Sequence, residues 1–82
     1  MLKQHEIQIA SIHVPVKRIK TLDRDKVDQI ARSILEHGQT TPIQVRVDGD
    51  RFVLIEGLHR LEAMKALGEK TVLGYLVQAR QR

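Results

Sequence analysis

Phe52-Val53-Leu54-Ile55-Glu56-Gly57-Leu58-His59-Arg60-Leu61-Glu62-Ala63-Met64-Lys65-Ala66-Leu67-Gly68 is the stretch that decides the fold. From Arg51 to Glu56 the residues Phe52 to Ile55 are apolar on both faces of an extended chain, as an interior strand requires. Gly57 breaks that run. From Leu58 or His59 to Leu67, the residues Leu61, Ala63, Met64, Ala66 and Leu67 predict a helix, stopped by Gly68. A buried strand therefore passes directly into a helix. The first amides of a helix lack internal partners, and together with the helix dipole they favour an anion. Gly57 lets the backbone approach that anion closely. Arg60 can grip phosphate oxygens with two prongs, and His59 can donate a further hydrogen bond. The same four residues, Gly57 to Arg60, equally fit a plain strand-to-helix turn with its His and Arg at the surface.

Upstream, Leu22 to His37 shows the clearest periodicity. Val27, Ile30, Ala31, Ile34 and Leu35 form one apolar stripe, with Asp28, Gln29, Arg32 and Glu36 on the solvated side. Asp23 is the expected N-cap, Leu22 and Val27 the hydrophobic staple, and Gly38 the left-handed stop. Ile43 to Val47 alternates cleanly as a half-buried strand, and Asp48-Gly49-Asp50 signals a hairpin into the strand already described. Thr71 to Val77 is a last strand. Glu6 to Ile19 is expected to be extended, with a bend or bulge at Ala10-Ser11 where the alternation changes phase. Pro15 lacks a donor and places that strand at an edge or near its end. The order predicts a small α+β domain with a mixed sheet and two helices, its core about 7–77 and a polar, basic, frayed end over 78–82 that carries Arg80 and Arg82.

Composition narrows the function. Eighty-two residues make one domain, and 41% hydrophobic residues suffice for one core. Phe52 and Tyr75 are the only aromatic residues, which argues against a base-stacking platform for single-stranded nucleic acid. With no cysteine, disulfides, thiol nucleophiles and thiolate zinc sites are excluded. His5, His13, His37 and His59 lack metal-ligand spacing, so no protein-built metal site is expected. No apolar run approaches the ~20 residues of a membrane span. The opening MLKQHEIQ has no apolar stretch after its charges, so a cytoplasmic protein is expected. A net charge of +4 favours anionic partners. The cluster Val16-Lys17-Arg18-Ile19-Lys20 either meets phosphate or DNA backbone, or is the exposed face of a strand end.

Residues 52–68 resemble the signature helix of the ParB/sulfiredoxin superfamily. In bacterial ParB partition proteins the equivalent motif reads Gly-Glu-Arg-Arg followed by an Arg-Ala pair; in sulfiredoxins it reads Gly-Cys-His-Arg. Ile30 to Gly38, then Thr41-Pro42-Ile43, is similar to the ParB helix ending in Ser-Ile-x-x-x-Gly before a Gln-Pro-Ile strand. The likeness spans roughly residues 12 to 77.

This resemblance implies a nucleotide site for CTP, as in ParB proteins, or ATP, as in sulfiredoxins, with magnesium carried by the nucleotide. It places Gly57, His59 and Arg60 at the phosphates, with Gly38, Thr40 and Thr41 beside them and Lys20 and Arg24 as further basic candidates. Leu58 stands at the sulfiredoxin cysteine, so sulfiredoxin activity is not expected. Glu62 stands at the second ParB arginine, and Thr41 at the usual glutamine. The ParB helix-turn-helix and dimerising domains find no counterpart in these 82 residues. The expectation is thus a stand-alone nucleotide-binding module of a partition or DNA-associated regulatory system, meeting DNA or a partner protein and binding its nucleotide as a switch. The alternatives are a phosphotransferase or nuclease using the same site, or a degenerate interaction domain. Glu56 and Glu62 are the candidates for a base or magnesium ligand. Glu56 ends a mostly apolar strand, where burial would favour its neutral form. Glu62 equally suits a surface ion pair with Lys65.

Overall fold

In the computed structural model, which describes residues 3–78, nine elements follow one another. They are β1 (Gln4–Gln8), a 3-10 turn (Ile9–Ser11), β2 (Ile12–His13), α1 (Val16–Ile19), α2 (Arg24–His37), β3 (Ile43–Asp48), β4 (Arg51–Glu56), α3 (Leu58–Ala66) and β5 (Thr71–Leu76). Residues 79–82 of the expected basic end lie outside the described part. No helix among the described residues is long and apolar enough to cross a membrane.

The strands form one mixed sheet in the order β1-β5-β3-β4-β2. β1 runs antiparallel to β5 and β3 antiparallel to β4, while β3 with β5 and β2 with β4 are parallel. The apolar reading of β4 fits its interior place, with Val53 and Leu54 buried and Phe52 and Ile55 half-buried. The strand at 71–77 ends at Leu76, and Val77 adds one more backbone bond to Val45 O.

The chain before α2 departs from expectation. Glu6 to Ile19 is not one extended segment. Its first part pairs with β5 at one edge of the sheet, the 3-10 turn falls at the phase change, and Ile12–His13 pairs with β4 at the other edge. Pro15 then starts a helix: its carbonyl accepts from the Arg18 and Ile19 amides at 2.9 and 3.3 Å. Proline's fixed φ suits a helix start as well as a strand end. Val16 and Ile19 are therefore neighbours on a single turn, both exposed, and the described residues hold three α-helices where two were expected.

α3 packs against β3 and β5 on one side and carries α2 on the other. Leu58, Leu61 and Met64 share one face of α3 and belong to the core with Ile7, Ile43, Val45, Leu54 and Val72. Ala63, fully buried as well, points elsewhere around the helix, and Val27 is the buried residue of α2. Burying a side chain such as Leu61 contributes about 2–3 kcal/mol.

Two details fix how β3 meets its neighbours. Ile43, opposite Gly74, is the first β3 residue paired with β5. The Gln39 side chain extends that ladder by one step. It accepts from Leu73 N at 2.7 Å and donates to Leu73 O at 2.9 Å, then to Thr41 O at 3.1 Å. Ile43 itself fills the space left by two glycines. A Cβ on Gly57 would stand 2.7 Å from Ile43 Cγ2, and one on Gly74 would stand 3.1 Å from Ile43 Cγ1.

Candidate functional site

The passage from β4 to α3 is as sharp as the sequence implies. Leu61 N already bonds to Gly57 O at 2.9 Å, so helical bonding begins one residue past the strand. Gly57 takes φ +108°, a region costly for any residue with a Cβ. The Cβ it lacks would press on Ile43, so glycine serves packing here besides lying at the cleft. Gly57 offers no side chain to cap α3. The amides of Leu58, His59 and Arg60 are thus left without intrahelical acceptors.

The start of α2 is treated differently. Asp23 Oδ1 accepts from Asp25 N at 3.0 Å, and Asp23 N donates to His59 Nε2 at 3.0 Å. The expected N-cap is in place, and it holds the α3 histidine. As Nε2 accepts, the proton of the neutral ring sits on Nδ1. His59 therefore has one donor left for a ligand.

Beside the uncapped end of α3 lies a cleft of ≈ 300 Å³. Gly57, Leu58, His59 and Arg60 form one wall and Glu56 the end of β4. The opposite wall comes from α1, the link after it and α2: Arg18, Thr21, Lys26 and Ile30. Arg18, Lys26 and Arg60 thus bring cations from three helices, against one carboxylate. Arg18, its side chain partly exposed, lies 3.7 Å from the well-exposed Glu56. Such a pair is worth about 0–1 kcal/mol, so an incoming anion can take the arginine over.

The proposed phosphate residues Gly57, His59 and Arg60 all line the cleft. Lys20 and Arg24 do not; the same segment supplies Arg18, Thr21 and Lys26 instead. Of these, Arg18 belongs to the basic cluster already noted, and only a helical turn in place of the expected extended chain swings it toward Glu56; Thr21 and Lys26 carried no signal of their own. Gly38, Thr40 and Thr41 lie beyond the far end of α2. Gly38 is eight residues past Ile30, about 12 Å along a helix. Glu56 is not buried as expected: it ends its strand at the cleft mouth with 65% of its side chain exposed. Glu62 does not line this cleft and forms the ion pair with Lys65, at 3.2 Å. Among the described residues no three His, Asp or Glu side chains converge as a metal site.

Residues 2–82 match the family model of the ParB N-terminal domain. The probable chromosome-partitioning protein ParB of Campylobacter jejuni is 40% identical over 62 residues, which are 76% of this chain and 22% of that protein. The chain therefore spans less than a quarter of the length of that relative. Sulfiredoxin from Arabidopsis thaliana superposes with a TM-score of 0.84 at 27% identity, covering 94% of this chain and 86% of the other. C-terminally truncated ParB from Caulobacter crescentus, complexed with CTP-gamma-S, superposes with a TM-score of 0.77 at 23% identity, covering 98% of this chain and 46% of the other.

Proposed function

We propose that this chain, which belongs to the ParB N-terminal domain family, binds a nucleoside triphosphate in the cleft at the start of α3. The reading is a CTP- or ATP-responsive module of a chromosome- or plasmid-partition or DNA-associated regulatory system, with DNA or a DNA-binding protein as its partner. One observation carries it. Arg18, Lys26 and Arg60 face the same space as the uncapped amides of α3. Phosphate oxygens satisfy such amides, and a guanidinium fork adds paired, charge-assisted bonds. The CTP-gamma-S complex of the Caulobacter crescentus protein supports the choice of ligand.

Magnesium would enter on the nucleotide. Glu56, and not Glu62, is the carboxylate in position to meet it or one of its waters. The test is calorimetric titration of the chain with CTP and ATP in magnesium, with Arg60→Ala in parallel. Saturable binding that the substitution removes is the expected result. Absence of heat with both nucleotides overturns the reading.

A further inference from the structure

We propose that a second cleft, at the far end of α3, docks an extended arginine- or lysine-bearing segment of a partner protein as one more rung beside β5. The proposal goes beyond the nucleotide reading and does not depend on it.

The backbone of β5 offers the rung. Along a strand, successive N–H and C=O groups turn to alternate sides. In β5 the odd-numbered residues turn toward β3: Val77 N meets Val45 O, and Leu73 N and O meet the Gln39 side chain. Thr71 turns the same way. Its pairing on β1 agrees in phase, because the bond beside the Gln8–Thr71 pair runs from Ile9 N to Lys70 O. β3 pairs with β5 only from Ile43, opposite Gly74, and Gln39 adds the step at Leu73. One step further, at Thr71, no group of the described residues continues the ladder.

The space at that step is a cleft of ≈ 260 Å³. Met64 and Val72, both buried, give it an apolar floor. Glu6 and Glu69 give it charge, and no cation lines it. The end of α3 places Glu69: Glu69 N bonds to Met64 O and Gly68 N to Lys65 O, both at 3.0 Å, the paired bonds of a Schellman stop. Neither carboxylate joins an ion pair among the described residues. In a chain of net charge +4, an acidic cleft without a cation selects an occupant of opposite sign. The open step selects an extended backbone, which adds to a sheet through its main-chain bonds. A lysine or arginine suits the rest: its aliphatic stem covers the floor while its head meets the carboxylates.

The test follows amide chemical shifts of the chain, without nucleotide, on titration with the acetylated and amidated peptide Thr-Val-Arg-Arg-Val-Thr. Adjacent arginines point to opposite faces of a strand, so either orientation brings one to the cleft. Saturable shifts at Thr71 and Leu73 are expected. Glu6→Gln and Glu69→Gln, both at exposed positions, should each raise the dissociation constant about fivefold or more, the loss of one charge-assisted contact. Methylating the two arginine amides of the peptide keeps its charge and removes donors, and should weaken binding at least as much. Silence at millimolar peptide overturns the proposal. So do equal shifts with Thr-Val-Glu-Glu-Val-Thr, shifts confined to the Gly57 cleft, or binding that methylation leaves unchanged.

Discussion

His59 Nε2 accepts the backbone N–H of Asp23 at 3.0 Å, so the first turn of α3 and the cap of α2 share one hydrogen bond. The residue expected to meet phosphate is therefore also a tie between the two helices. His59→Ala leaves the Asp23 amide without its partner and should cost about 1 kcal/mol, lowering the melting midpoint by roughly 4–8 °C in a domain of this size. Faster hydrogen exchange at Asp23 is the specific signature. An unchanged exchange rate there would show that the tie is absent in solution.

Gly57→Ala should be far more damaging than its size suggests. A left-handed residue with a Cβ costs about 1–2 kcal/mol, and pressing on Ile43 adds about 1–3 kcal/mol more. Small domains have only ~5 kcal/mol or a little more to lose. Urea denaturation followed by circular dichroism should show a large drop in midpoint. A loss below ~1 kcal/mol would mean that the junction relaxes freely.

Gln39→Ala removes the side chain that extends the β3–β5 ladder to Leu73. Leu73 N loses its acceptor and Leu73 O loses a donor in a half-buried position, for a cost of about 1–2 kcal/mol. Hydrogen exchange should speed up at Leu73 much more than at Val72. Equal acceleration of both would indicate loosening of the whole strand.

Arg18→Ala should separate binding from stability. Its contact with Glu56 is exposed, so the thermal midpoint should stay within about 4 °C, in line with surface substitutions of ±0.5 kcal/mol. Nucleotide affinity should fall about tenfold or more. If affinity is unchanged, Arg18 stays on Glu56 and the cleft works with two cations.

The parts of this fold that local chemistry dictates were legible in the sequence. The strand-to-helix passage at Gly57, the Asp23 cap and the Gly38 stop at φ +75° depend on neighbours a few residues away. The segment from Glu6 to Ile19 was not. Its alternation of apolar residues holds for a strand, yet Val16 and Ile19 also satisfy one helical turn, and Pro15 suits both. What decides between them is the sheet: β4 offers a parallel partner only to Ile12 and His13. The site followed the same line. Gly57, His59 and Arg60 sit on the locally determined helix start. Arg18, Thr21, Lys26 and Ile30 reach the cleft only through tertiary placement of α1 and α2. Glu56 was misjudged because an apolar strand says nothing about where the sheet stops.

Ile43 is held between Gly57 and Gly74, with no slack on either side. Force applied to the backbone at the start of α3 therefore passes directly through this side chain into β3 and on to β5. The Gly57 side of the cleft therefore rests on a packed side chain, while Arg18 stands on a turn held to Glu56 by an exposed ion pair. A ligand that seats here should leave the sheet unmoved and draw the arm before α2 down upon itself.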